Sequence, residues 1–253
     1  MFTWALLIAS SICLFILGLY FLGYVAIALH QLFFRPHPLS EEKVSAEKIT
    51  ILIPSYNEGD SVIDTVESLK LQDNASTLYI DILIKDESDT SYAPLKKHYK
   101  NFVHNDFFKI TKKRFLRVHC TGLQYKNEKI NAVLQDTDTR YVAFLDADHR
   151  AAKSWLQDSL NILAGTNTRI VQSRRGPLSL NGFFKAWDSL QNHIGNEVIN
   201  RFLSRIGQTS YFTGTTCVFE TELIKEKGFP DSITEDTYLT YQMFSEGEKI
   251  SYN

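Results

Sequence analysis

Cysteine is scarce in this chain of 253 residues. Three are present, Cys13, Cys120 and Cys217, an odd number at wide spacings with no C-x-x-C pair. That excludes a disulfide framework and reads as reduced thiols in a cytosolic domain, with Cys13 in lipid. An excess of charge is lacking as well: 27 Lys and Arg face 29 Asp and Glu, a net of −2. Nucleic-acid binding shows as a basic excess, so nucleic acid is not expected as a partner. Internal repeats and low-complexity tracts are absent. Between Met1 and Phe34 there is no Lys, Arg, Asp or Glu, and His30 alone can carry a charge there.

What is present divides into two materials. Thirty helical residues span about 45 Å, more than the roughly 30 Å hydrocarbon core of a bilayer, so residues 1–34 read as a transmembrane helix. The rival reading, a cleaved signal peptide, wants a basic start, a shorter apolar core and a small-residue cleavage site, none of which is clear. Trp4 and Tyr24 or Phe33 suit the interfaces, and Arg35, Lys43 and Lys48 follow the span. The positive-inside rule then sets the large domain in the cytoplasm. Residues 35–48, with Pro36 and Pro38, read as a linker. The remainder, 49–253, is long enough to bury a core without disulfides or structural metal, given a chain that is 44% hydrophobic.

From residue 49 the pattern alternates. Ile49 to Ile53 is a short apolar run closed by Pro54, as for a strand buried on both faces. Asp60 or Ser61 can cap a helix carrying Val62, Ile63, Val66 and Leu69, with Asp64 at capping-box spacing from Ser61. Leu78–Ile84, Phe115–His119 and Tyr141–Leu145 read as further strands, and Ile130–Leu134 and Trp155–Leu163 as helical stretches. The expected fold is α/β, a mostly parallel sheet with helices on both faces. Ligands of such sheets bind at the carboxyl ends of the strands, where three acidic clusters fall: Ser55-Tyr56-Asn57-Glu58, Asp86-Glu87-Ser88-Asp89 and Asp146-Ala147-Asp148-His149.

Asp146 and Asp148 lie two residues apart, so in an extended segment both carboxylates point one way. Hard oxygen ligands suit Mg²⁺ or Mn²⁺ shared with substrate phosphates. A D-x-D pair also arises in loops by chance, and the two neighbouring acidic strand ends are what favour the metal. Asp236 falls in the first turn of a helix that Thr234 can cap. A carboxylate there complements the helix dipole, which suffices for Glu235. Asp236 is the candidate general base for an acceptor hydroxyl.

The ordered series I-P-S-Y-N-E (53–58), D-E-S-D (86–89), K-N-E-K-I-N (126–131), D-A-D-H (146–149), V-Q (171–172), F-T-G-T (212–215) and T-E-D (234–236) resembles the family 2 glycosyltransferases of GT-A, Rossmann-like fold. The resemblance covers about residues 49–253 and is nearest to the membrane-integrated branch that includes cellulose and hyaluronan synthases and lipid glycosylating enzymes. It implies an inverting transfer from a nucleotide sugar, a UDP-sugar by expectation, to a growing β-glycan, with Mg²⁺ or Mn²⁺. Pro54, Tyr56, Glu58 and Asp86 match positions that hold base and ribose, and Lys126 a lysine near the phosphates. Asp146 and Asp148 match the D-x-D pair, the second being the firmer metal ligand. Gly214 and Glu235 match the acceptor site, and Asp236 the base.

Lys85 stands before Asp86 where relatives often have a second aspartate. A Q-x-x-R-W segment and further membrane helices do not follow T-E-D, so the C-terminal part of the domain is expected to be missing. Two alternatives stay open: a single transfer to a lipid acceptor, and an inactive, membrane-anchored binding protein. Gln172 to Arg175 can approach an acceptor or phosphate, though such arginines are more often solvated. Phe183, Phe184, Trp187, Leu190 and Ile194 have helical spacing. That face suits a membrane surface, but core packing is the expectation. His149 assists the metal or is a hydrogen-bonded loop residue.

Overall fold

The computed structural model describes residues 2–33, 48–73, 76–177 and 181–253. The expected linker lies outside the described residues except for Lys48, which begins the first strand. In chain order the elements are α1 (Phe2–Phe33), β1 (Lys48–Pro54), α2 (Ser61–Lys70), β2 (Thr77–Ile84), α3 (Tyr92–His98), β3 (Phe108–Thr111), β4 (Arg114–Cys120), α4 (Lys126–Leu134), β5 (Tyr141–Phe144), α5 (Trp155–Gly165) and β6 (Ile170–Gln172). Then come α6 (Phe183–His193), a π-helical stretch (Ile194–Asn200), α7 (Arg201–Arg205), β7 (Cys217–Glu220), α8 (Thr221–Lys227), α9 (Glu235–Ser245) and β8 (Ile250–Tyr252).

Two compact units form: residues 1–37 with 175–207, and residues 38–174 with 208–253. The second contains a sheet in the order β3-β4-β2-β1-β5-β7-β6-β8. β4, β2, β1 and β5 run parallel, and β8 runs parallel to β6. β3 pairs antiparallel with β4, and β7 lies antiparallel between β5 and β6. The expected mostly parallel sheet is found, with short edge strands and the reversed β7 as additions.

Strand periodicity sorts the core. Ile49, Ile51 and Ile53 of β1 join the cluster that includes α2, α3 and α5 residues such as Val66, Leu95 and Leu160. Leu52 faces the other cluster, built with Ile130 of α4, Leu223 of α8 and Met243 of α9. Alternate residues of one strand thus feed opposite layers, because successive Cβ atoms point to opposite faces. The helices therefore cover both faces, as the alternating pattern requires. Polar contacts reinforce the seams: Asp81 is fully buried in β2 and receives Arg117 Nε of β4 at 3.0 Å.

Two local expectations fail. Ser61 and Asp64 form no capping box: Asp60 is the N-cap residue without a side-chain bond, and Asp64 is drawn instead to Arg150 at 2.7 Å. Thr234 occupies the N-cap of α9 but makes no capping bond either.

In the first unit, Leu6–His30 of α1 is long and apolar enough to cross a membrane, and none of it is buried. The ring of His30 meets Phe202 edge-on at 5.2 Å. α6 buries no residue, which corrects the expected core packing of its aromatic face. Phe183 and Phe184 remain 74% and 84% exposed, and Phe183 packs on its neighbour in the helix, Trp187, at 6.5 Å.

The joint between β5 and β7 is the test of this core. Phe144, 1% exposed, packs its ring against Phe219 at 5.5 Å and Phe229 at 4.9 Å. Phe144→Ala is expected to cost about 3–5 kcal/mol, read from urea unfolding of the full chain in detergent. A cost well under about 1 kcal/mol would mean the cavity closes and the aromatic cluster is dispensable.

Candidate active site

The carboxyl ends of β1, β2 and β5 converge, as parallel strands in register must. After Pro54 the chain makes a turn over residues 55–59. Asn57 adopts φ +58°, uncommon without glycine. Its N–H donates to Asp89 Oδ2 at 3.1 Å, while its own Oδ1 accepts from Thr90 N at 3.1 Å. Glu58 N donates to Ser91 Oγ, and Ser55 Oγ meets the same hydroxyl at 3.0 Å. Asp89, buried, is thus a builder of the turn, a role sequence reading missed. Asp86 by contrast stays at the surface of the loop and accepts from the Ser88 hydroxyl and from Ser88 N. These bonds, with Lys85 adjacent, hold its carboxyl below the ordinary range. The turn presents Tyr56 outward, 59% exposed.

Asp146 is the hub of the second half. Its N–H donates to Thr215 Oγ1 at 2.8 Å, and its Oδ1 accepts from Lys126 Nζ at 2.8 Å. The same ammonium donates to the Gly214 carbonyl at 2.9 Å and lies 3.9 Å from Glu235 Oε1. Lys126 is the first residue of α4, and so its side chain is free to reach across the strand ends. Gly214 has φ +77°, and a Cβ there would lie 3.6 Å from Asp236 Cβ, 3.7 Å from Asp236 Oδ2 and 3.7 Å from Lys126 Nζ. Glu235 of T-E-D thus stands within ion-pair reach of the lysine that holds Asp146, and Asp236 flanks the same glycine.

Asp146 and Asp148 converge by a turn and not by the extended pairing expected. His149 N donates to the Asp146 carbonyl at 3.1 Å. The imidazole Nδ1 then stands 2.8 Å from Asp148 Oδ1 and 4.0 Å from Asp146 Oδ2. Thr65 Oγ1 donates to the Ala147 carbonyl at 2.6 Å and so fixes the turn to α2. Glu58 faces this pair: burial first, then the charges of Asp148, Asp146 and Asp89, push its carboxyl above the ordinary range. That mutual repulsion is the electrostatic condition a divalent cation relieves. Among the described residues no group of three or more side chains is preassembled in metal-binding geometry. The fit to Mg²⁺ or Mn²⁺ rests on the donors, hard carboxylate oxygens with Asp148 63% exposed.

Other residues shape the site without entering it. Gln172 is fully buried, so it does not approach a ligand as its sequence position suggested. Its amide donates to the carbonyls of Thr215 and Ser173 and accepts from Thr213 N at 3.0 Å. It thereby braces a loop in which Thr216, β-branched, is forced to φ +54°. Asn131 exchanges two 2.8 Å bonds with the Phe229 backbone, and Asn127 donates to the Pro230 carbonyl. Both dock the segment that leads into Asp236.

Gly214→Ala tests the loop. The contacts at 3.6 and 3.7 Å are ordinary, so strain comes from φ +77° alone. A left-handed non-glycine residue costs about 1–2 kcal/mol, a fall in Tm of roughly 2–8 °C. An unchanged Tm in differential scanning fluorimetry would show that the loop relaxes at no cost.

With the geometry established, known proteins can be compared. No curated protein sequence matches the chain. Among solved structures, it is similar to the mannosyltransferase PcManGT from Pyrobaculum calidifontis in complex with GDP-Man and Mn²⁺, with a TM-score of 0.66 and 18% identity over 94% of this chain. It is also similar to S. aureus TarS 1-349, with a TM-score of 0.51 and 16% identity over 81% of this chain, and to the UDP-GlcNAc complex of that protein, with a TM-score of 0.50 and 18% identity. The chain spans 63% of the first of these and 58% and 56% of the others. These likenesses show the fold, GT-A. The model of the family described as glycosyl transferase family 2 matches residues 50–227, more than half of the sequence. The chain belongs to glycosyltransferase family 2.

Proposed function

We propose that this chain carries the catalytic site of an inverting, metal-dependent glycosyltransferase that moves a sugar from a nucleoside diphosphate sugar, UDP-linked in this reading, to a growing β-glycan. The observation that carries it is the meeting of distant carboxylates at one lysine. Lys126 Nζ holds Asp146 Oδ1 at 2.8 Å and lies 3.9 Å from Glu235 Oε1, and a Cβ built on Gly214 would stand 3.7 Å from both Nζ and Asp236 Oδ2. The solved relatives hold GDP-Man with Mn²⁺ and UDP-GlcNAc, two nucleoside diphosphate sugars, which supports that donor class here.

In this proposal Pro54, Tyr56, Glu58 and Asp86 receive the base and ribose, and Lys126 and Asp146 the diphosphate end. A divalent cation bound by Asp148 with Asp146 would neutralise the diphosphate oxygens and stabilise the leaving group. Asp236 takes the proton from an acceptor hydroxyl positioned beside Gly214 and Glu235. The acceptor oxygen bonds to the anomeric carbon as the bond to the diphosphate breaks, and the departing negative charge meets the Lys126 ammonium. Direct displacement of this kind inverts the anomeric centre. α1 tethers the domain to a membrane, the domain facing the cytoplasm. A single transfer to a lipid acceptor is the second reading, favoured by α1, which would keep such an acceptor within reach. Product length separates the two.

Asp148→Ala is expected to abolish Mn²⁺-dependent UDP binding in calorimetry. Asp236→Asn is expected to keep the UDP Kd within about two-fold and to slow UDP release in the presence of acceptor by about 100- to 10,000-fold. Full turnover by Asp236→Asn would remove the base from Asp236. Nucleotide binding by the native chain without any turnover would mark it as a binding protein.

A further inference from the structure

One buried cation has no part in the chemistry above. Lys129 in α4 is 1% exposed, among the largest fully buried side chains of the chain. Its α4 neighbours Ile130, Val133 and Leu134 are buried apolar residues, so the layer itself asks for no charge. Burial makes the ammonium easier to deprotonate, with Asp89 opposing that effect and Lys85 adding to it. A cation kept at such a position needs a specific partner. Its partner is the Ser55 carbonyl, which accepts from Nζ at 2.7 Å. The same ammonium stands 5.9 Å from the centre of the Tyr56 ring.

The arrangement around Tyr56 is symmetrical in charge. The peptide group before Tyr56 is held at its carbonyl by Lys129, and the peptide group after it is held at Asn57 N–H by Asp89. Two buried charges of opposite sign thus fix the main chain on both sides of one exposed aromatic residue. Asn57 takes φ +58° there, a left-handed conformation that asparagine accepts more readily than most residues. The turn lies beyond the ladder of β1, which ends at Pro54, so its shape is set by these side chains together with Ser91 and Thr90.

We propose that Lys129 is a positioning residue for the nucleotide end of the donor site, holding the 55–59 turn in its binding shape before the donor arrives. This rests on the donor reading given above. Preorganisation of this kind acts on affinity, because a pinned turn loses less freedom when it meets a base. Transfer itself takes place at Asp236 and does not involve Lys129, so the rate at saturating donor is spared.

The experiment uses the full chain in detergent, with UDP and GDP as probes in calorimetry with Mn²⁺, and with donor-saturation kinetics alongside. Lys129→Met matches the side chain in length and removes the charge. It is expected to raise the nucleotide Kd and donor KM by about 10-fold, the effect of one charge-assisted bond, while kcat and binding stoichiometry stay within about two-fold. Lys129→Gln, which keeps a donor for the Ser55 carbonyl, is expected to recover part of the loss, and hydrogen exchange at residues 55–59 should be fastest in Lys129→Met, slower in Lys129→Gln and slowest in the native chain. A purely structural lysine would lower stoichiometry and kcat together and leave Kd alone, and that result overturns the proposal. An unchanged Kd in both variants does the same. If the native chain binds neither UDP nor GDP, the donor reading itself fails and the role of Lys129 falls with it.

Discussion

The contact between Lys126 and Asp146 is the one on which the rest of the site depends. With each side chain 31% exposed, the pair contributes little to stability, on the order of 1 kcal/mol or less. Its effect is geometric. Asp146 follows β5 and Gly214 precedes β7, two strands that pair antiparallel, whereas Asp236 in the first turn of α9 lies outside that ladder. One ammonium bonded to the Asp146 carboxylate and the Gly214 carbonyl, with Glu235 at 3.9 Å, gathers segments 88 residues apart.

Around that hub, buried polar groups do what hydrophobic packing cannot. The two apolar layers fix the strands but leave their carboxyl-end loops undetermined, because loop backbone has no ladder partner. Each loop is therefore claimed by a side chain: the 55–59 turn by Asp89 and Lys129, the D-A-D-H turn by Thr65, the F-T-G-T loop by Gln172, and the approach to T-E-D by Asn127 and Asn131. The positive φ angles at Asn57, Gly214 and Thr216 fall in these claimed loops. Strain sits where the surroundings over-determine the backbone, at the face that would meet a donor.

Much of this was legible in the residues. The uncharged opening stretch announced α1, and the apolar runs at 49–53, 78–84, 115–119 and 141–145 located the central strands, because strands buried on both faces read as continuous hydrophobic stretches. The acidic clusters at their ends marked the sheet edge on which the candidate site was sought. The three- and four-residue strands β3, β6, β7 and β8 were not legible, being too short for a period to register. The expected capping box failed because Arg150, 86 residues away, competed for Asp64. α6 has a helical apolar stripe, and such a stripe does not say whether a core or something else will meet it. The roles of Asp89, Lys129 and Gln172 were hidden for a common reason: a polar residue's burial is decided by tertiary neighbours, which composition and spacing do not contain.

The central claim is that donor phosphates and the base share the space organised by Lys126. A crystal structure of the full chain with UDP and Mn²⁺, with anomalous scattering used to locate the metal, tests this most directly. The account predicts the metal on Asp148 and the diphosphate against Lys126, with Asp236 facing the vacated sugar position. A nucleotide bound elsewhere, with Lys126 and Asp148 both untouched, would contradict it.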